Sequence, residues 1–269
     1  LSYRIAEAQY QRLRYDGERA QLSQRLARYR TELAQLRLGK GLSPQITPVA
    51  PPPDQGDALL RLRLLVEELR ALLEAATLLG HGERSECAEG RRLLSEGQGA
   101  IANREPGELP RAISKAIASL KPLAQVRLSP GQERAILSTL RKAQLGPVNV
   151  GPQGPMVTVG DLFKGRSEEL APEASRHIKA LAALVKGEAK AALFMELHVD
   201  NVGQGGANLD LTLAQAKALG RALLALGVEE RSFILLAKGD SFPLAPNDTE
   251  EGRKQNQRVE VIYLPLEGQ

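Results

Sequence analysis

The chain has 269 residues, 42% of them hydrophobic and 25% charged, which excludes wholesale disorder and predicts about two domains. Its single cysteine, Cys87, excludes an intrachain disulfide and any multi-cysteine metal centre, and no apolar run approaches the ~18 residues of a membrane span. The net charge of +4 is small, but residues 1–40 carry nine Lys/Arg against four Asp/Glu, while residues 151–269 carry thirteen against sixteen.

Residues 1–38 lack proline and read as one long helix. Leu22, Leu26, Tyr29, Leu33 and Leu36 alternate spacings of four and three, the seam of a coiled coil. Extended backward, the frame takes in Leu1, Ile5, Ala8 and Tyr15, but also Arg12 and Arg19. A coiled-coil-like helix over 1–40 and a helix hairpin packed within the same chain both satisfy this pattern. The arm's arginines are interspersed with Leu and Gln and lack an aromatic stacking platform, so nucleic acid is not expected as a partner. The sequence opens on Leu1, within a helical pattern, so any membrane attachment is expected through an anchor upstream.

Residues 41–57 form a proline-rich linker with Pro44, Pro48 and Pro51 to Pro53, an extended spacer. Residues 58–145 form a helical region. Asp57 is expected to cap a helix over 58–79, whose stripe of Leu59, Leu62, Val66, Leu69, Leu73 and Ala76 is widened by Leu60, Leu65, Leu72 and Leu79. So broad an apolar face calls for burial on more than one side. Shorter helices are expected over 84–97, 108–124 and 130–144, with Pro110 near a helix start.

From about residue 146 the pattern changes. Gly151, Pro152, Gly154 and Pro155 read as a loop, and residues 156–159 as a short strand. A helix over 171–185 precedes a strand in which Leu193, Met195, Leu197 and Val199 alternate with Phe194, Glu196 and His198. A glycine-containing loop over 201–207, a helix over 211–226, a strand over 233–237 and a last strand over 259–263 complete the chain. Strands alternating with helices predict an α+β domain, an α/β sandwich, over 146–269.

The residues of this domain resemble a known family. Leu162 and Phe163, then Ser167 to Leu170 and Pro172, follow L-F-x-x-G-S-x-x-L-x-P-x-A. Leu197 to Asp200 and Gly203 resemble G-H-T-D-x-x-G, with Leu197 for its glycine and Val199 for its threonine, and Asn208 to Thr212 resemble the start of N-x-x-L-S-x-x-R-A. Pro243, Asn247, Thr249, Gly252, Arg253, Asn256, Arg258 and Val259 follow P-x-x-x-N-x-T-x-x-G-R-x-x-N-R-R-V. These four ordered blocks resemble the OmpA-like peptidoglycan-associated domain and cover about two-fifths of the chain. The resemblance implies a periplasmic, cell-envelope protein of a Gram-negative-type bacterium, with peptidoglycan as ligand and envelope proteins or a second copy as partners of the helical arm.

In the family an aspartate and two arginines grip the zwitterionic end of a diaminopimelate residue, the carboxylate taking the ammonium and the guanidinium forks the carboxylate. The resemblance puts the ligand at Asp200, Asn208, Gln215, Arg253, Gln257 and Arg258. Both grip arginines are replaced here, by Gln215 and Gln257, and glutamine carries no charge. Peptidoglycan association is therefore expected to be weakened, and a degenerate domain serving as a protein assembly surface remains the alternative.

The same residues also have plainer readings. Asp200 suits a turn, Asn208 a helix cap, and Arg253 and Arg258 a salt bridge tying the last helix to the sheet. Gly203 and Gly206 do not complete a dinucleotide or phosphate loop. His81, His177 and His198 lack a second histidine or cysteine at ligand spacing, so no metal is expected. With no G-x-S-x-G elbow and Cys87 among acidic neighbours, neither catalysis nor a cofactor is expected.

Overall fold

The computed structural model describes residues 55–126, 128–151, 153–186, 191–203 and 206–266. The long helix expected over 1–40, and the 41–57 linker except its last three residues, lie outside them. Helix α1 spans Gln55–Leu78, so it begins inside the expected linker. Asp57 sits in its first turn rather than at its cap, where a carboxylate still favours the positive end of the helix dipole.

The apolar stripe of α1 is buried as its width demands. Leu62, Val66, Leu69, Leu73 and Ala76 are buried, and so are Ala71, Leu72 and Ala75 beside them. Helices α2 (Ser85–Asn103) and α3 (Leu109–Leu120) pack on α1, and a 3-10 turn over Lys121–Ala124 follows. A Cβ on Gly97 would stand 2.6 Å from Val66 Cγ2, and one on Gly90 2.9 Å from Leu73 Cδ2. These two glycines set how closely α2 lies on α1. Cys87 is fully buried in this layer, and its thiol donates to the His81 carbonyl at 3.3 Å. Helix α4 (Pro130–Lys142) opens on a capping box in which the Ser129 hydroxyl accepts from the Gln132 N–H and the Gln132 amide oxygen accepts from the Ser129 N–H.

The stretch read as a loop around Gly151 and Pro155 is a β-hairpin. Strands β1 (Val148–Gly151) and β2 (Gly154–Gly160) pair antiparallel, with Val148 opposite Val157 and Gly151 opposite Gly154 at the closed end. Glycine and proline here mark the turn and the strand ends together, which hid β1 and the start of β2, whereas the strand expected over 156–159 lies within β2. Helix α5 (Ala174–Lys186), β3 (Ala191–His198), α6 (Ala207–Ala225), β4 (Phe233–Gly239), α7 (Glu250–Asn256) and β5 (Arg258–Pro265) follow. The sheet order is β1-β2-β5-β3-β4, antiparallel throughout except for β3 and β4, which are joined through α6.

Both faces of this sheet are covered. On one face Leu193, Met195, Leu197, Val259 and Val261 pack against Ile136 and Leu140 of α4, Ile178 and Leu181 of α5 and Leu219 and Leu223 of α6. On the other, Ala192, Phe194, Ile234, Leu236, Ile262 and Leu264 pack against Leu62, Leu69 and Leu72 of α1 and Ile113 and Ile117 of α3. Residues 58–145 therefore do not stand apart from the sheet: α1 to α3 cover one face and α4 the other. The result is three layers, helices on both sides of a mixed sheet.

Candidate functional site

Strand β3 ends at His198, and the Val199 N–H still donates to the Gly239 carbonyl at 3.0 Å. The chain then leaves the sheet at Asp200, which is 2% exposed. Its carboxylate is met from three directions. Oδ1 accepts from the Val202 N–H at 3.1 Å, the two-residue turn expected of aspartate, and from the Arg166 guanidinium. Oδ2 accepts from Gln257 Nε2 at 2.6 Å.

Arg166 lies in the loop between β2 and α5, held by the Lys164 N–H on the Glu169 carbonyl and by the isolated pairing of Phe163 with Leu170. Its second nitrogen donates to Asn208 Oδ1 at 2.6 Å. Asn208 is within α6 and does not cap it. Its Oδ1 also accepts from the Gly203 N–H at 3.1 Å, and its Nδ2 donates to the Gly203 carbonyl at 3.2 Å, so it clamps the loop before the helix. Gly203 admits no side chain there, because a Cβ would fall 2.1 Å from Asn208 Oδ1. Gln215 donates to the Ser167 carbonyl at 2.9 Å, pinning the loop that carries Arg166.

The C-terminal residues are built by a second polar knot. Asn256, fully buried, accepts from the Leu244 and Ala245 N–H groups at 2.7 and 2.9 Å and donates to the Ala245 carbonyl at 2.8 Å. Arg253 donates to the Asn247 carbonyl at 2.9 Å. Arg258 pairs with Glu260, two residues along the same strand, at 2.6 Å. Neither arginine makes the expected salt bridge between the last helix and the sheet among the described residues. Arg253 ties the preceding loop to α7 and Arg258 pairs within β5.

Asp200, Gln215, Arg253, Gln257 and Arg258 line one cleft of about 270 Å³, with Asp161, Glu250 and Lys254. Asn208 stands behind it, against Arg166. The charged groups of the lining are three acidic (Asp161, Asp200, Glu250) and three basic (Arg253, Lys254, Arg258). Such a balance suits a zwitterion better than a simple anion or cation.

Arg166 is the residue that sequence reasoning missed. The signal was present: in L-F-x-x-G-S counted from Leu162, Arg166 stands where the pattern has glycine. What could not be read is that its guanidinium reaches Asp200, thirty-four positions on. Replacing Arg166 by alanine leaves a buried carboxylate short of its counter-charge. With Arg166 itself a quarter exposed, the expected loss is about 1–3 kcal/mol rather than the full 3–5 of a completely buried pair, read as a lower urea midpoint. Arg166→Lys keeps the charge but not the fork, so it is expected to recover only part of the loss.

Residues 162–257 match the model of the OmpA family, and this stretch is an OmpA family domain. The probable lipoprotein YiaD of Escherichia coli is 30% identical over 104 residues, 39% of this chain and 48% of its own length. The peptidoglycan-associated lipoprotein of Pseudomonas aeruginosa is 33% identical over 99 residues, 37% of this chain and 58% of its own. The chain thus spans about half the length of these curated relatives. Among solved structures, the periplasmic domain of Helicobacter pylori MotB (residues 90–256) aligns at 21% identity and a TM-score of 0.41, covering 46% of this chain and 82% of that one.

Proposed function

We propose that the chain is a bacterial cell-envelope protein whose OmpA family domain associates weakly with peptidoglycan. Its segment over 1–40 joins an envelope partner or a second copy as a helical arm, and the periplasm is the compartment in which that ligand is met. The observation that carries the reading is the cleft, where Asp200, Gln215, Arg253, Gln257 and Arg258 converge with balanced charge, as the amino-acid end of a peptide stem requires. The likeness to a peptidoglycan-associated lipoprotein supports the ligand class. Weakness follows from two features of this chain. Gln215 and Gln257 offer hydrogen bonds without charge, and Arg166 already offsets the charge of Asp200. The activity assigned is binding, not catalysis.

Co-sedimentation with insoluble peptidoglycan tests this. The full chain is expected to be retained in part, to be released by free diaminopimelate, and to lose retention on Asp200→Asn. Absence of retention at every protein concentration sinks the proposal. A second reading draws on the pairing of Asp200 with Arg166, which leaves a degenerate domain serving as an assembly surface between envelope proteins. Under that reading Asp200→Asn alters stability and leaves sedimentation with peptidoglycan at the background level.

A further inference from the structure

Beside the cleft, the sheet face that α1 to α3 cover turns polar. Continuing the rows that begin with Phe194, Leu236 and Ile262, this face carries Glu196 and His198 on β3, Lys238 on β4 and Arg258 and Glu260 on β5. The antiparallel register sets Glu196 directly opposite Glu260. Like charges so placed destabilise a sheet unless a cation lies between them.

Two cations of the protein, Lys238 and Arg258, face these two carboxylates. Arg258 places Nε at 2.8 Å and Nη2 at 2.6 Å from Glu260, both on Oε1. Lys238 Nζ stands 3.6 Å from Glu196 Oε1 and 3.9 Å from Glu68 Oε2. The other oxygen of Glu196 faces His198 Nε2 at 3.8 Å, beyond hydrogen-bond reach. His198 is 3% exposed, and neither of its ring nitrogens has a hydrogen-bond partner among the described residues. One ligand atom each from Glu196, His198 and Glu260 lie within 4.8 Å of one another.

We propose that Glu196, His198 and Glu260 form a binding site for a divalent transition-metal ion, with zinc the best match. Zinc holds nitrogen and carboxylate oxygen at about 2.0–2.2 Å, so two of its tetrahedral ligands stand roughly 3.4 Å apart. The 3.8 Å between His198 and Glu196 is close to that spacing, and the 4.8 Å that bounds the three ligand atoms requires the carboxylates to move closer together around the ion. An imidazole with two carboxylates selects zinc over magnesium or calcium, which prefer oxygen alone. His198 and Arg258 also line the cleft. Lys238 and Arg258 oppose an added cation, so the ion is held moderately rather than at the limit of zinc proteins. Spacing along the chain gave no hint of this, because Glu260 reaches His198 only through strand pairing.

The test uses the full chain, stripped with EDTA and titrated with zinc sulfate alone in a non-chelating buffer. One equivalent is expected to bind by roughly 10 µM free metal, with His198→Gln and Glu260→Gln each weakening it tenfold or more and His81→Gln leaving it unchanged. No stoichiometric uptake, or uptake that both variants leave intact, overturns the site. Should either variant fail to fold by circular dichroism, the visible spectrum of the cobalt-loaded native chain decides. Intense four-coordinate bands support the site and a weak six-coordinate spectrum overturns it.

Discussion

Gln215→Arg combined with Gln257→Arg is expected to tighten binding of a diaminopimelate-containing peptide about a hundred-fold to ten-thousand-fold over the native chain. Both side chains line the cleft; Gln257 donates to Asp200 Oδ2 at 2.6 Å within it, and Gln215 donates to the Ser167 carbonyl of the neighbouring loop at 2.9 Å. What they lack is charge. A hydrogen bond to a charged group contributes roughly 1.5–3 kcal/mol, so two arginine contacts to a ligand carboxylate contribute about 3–6. At 1.4 kcal/mol per decade this gives the range of about two to four decades. Arg166 decides which end is reached. While it offsets Asp200, the ligand's ammonium finds a weak anchor and the gain stays near the lower end. Adding Arg166→Ser releases Asp200 and is expected to move the gain toward the upper end, at some cost in stability. The two glutamine replacements share one cleft and are expected to combine non-additively. Calorimetry of the single, double and triple variants measures all of this. No gain with or without Arg166 counts for the assembly-surface reading.

Phe194→Ala is expected to lower the unfolding free energy by about 3–5 kcal/mol, the usual range for emptying a buried aromatic site. Phe194 is 2% exposed on β3, in the core that the sheet shares with α1 and α3. Because that core is shared, the loss falls on both layers. Urea unfolding followed by circular dichroism gives the magnitude. Hydrogen exchange gives the coupling, since amides of α1 to α3 and of β3 to β5 are expected to lose protection together. Protection lost in the helices alone would mean that they form a separately folding unit, at odds with the single core that the two layers share.

Elements with an unambiguous periodicity are legible in the chain alone. The long stripe from Leu62 to Ala76 dictates a helix buried on several sides, and the alternation from Leu193 to Val199 dictates a strand, because side-chain direction follows from 3.6- and 2-residue repeats. The four spaced blocks were enough to identify the OmpA family domain, and of the six residues they singled out Asp200, Gln215, Arg253, Gln257 and Arg258 line one cleft while Asn208 does not. The remainder depends on long-range packing and strand register. Only packing shows that α1 to α3 cover the second face of the sheet, because a broad apolar stripe states that it needs a partner and not which one. Strand register alone brings Glu196 opposite Glu260, and the fold of the loop after β2 alone carries Arg166 to Asp200 and Asn208. Asn208 suits a cap by type, yet it faces a guanidinium and the Gly203 backbone, so its side chain serves the loop instead. Local propensity is set by neighbours a few residues away, whereas the charge state and partners of a buried group are set by whatever the fold places within about 4 Å of it.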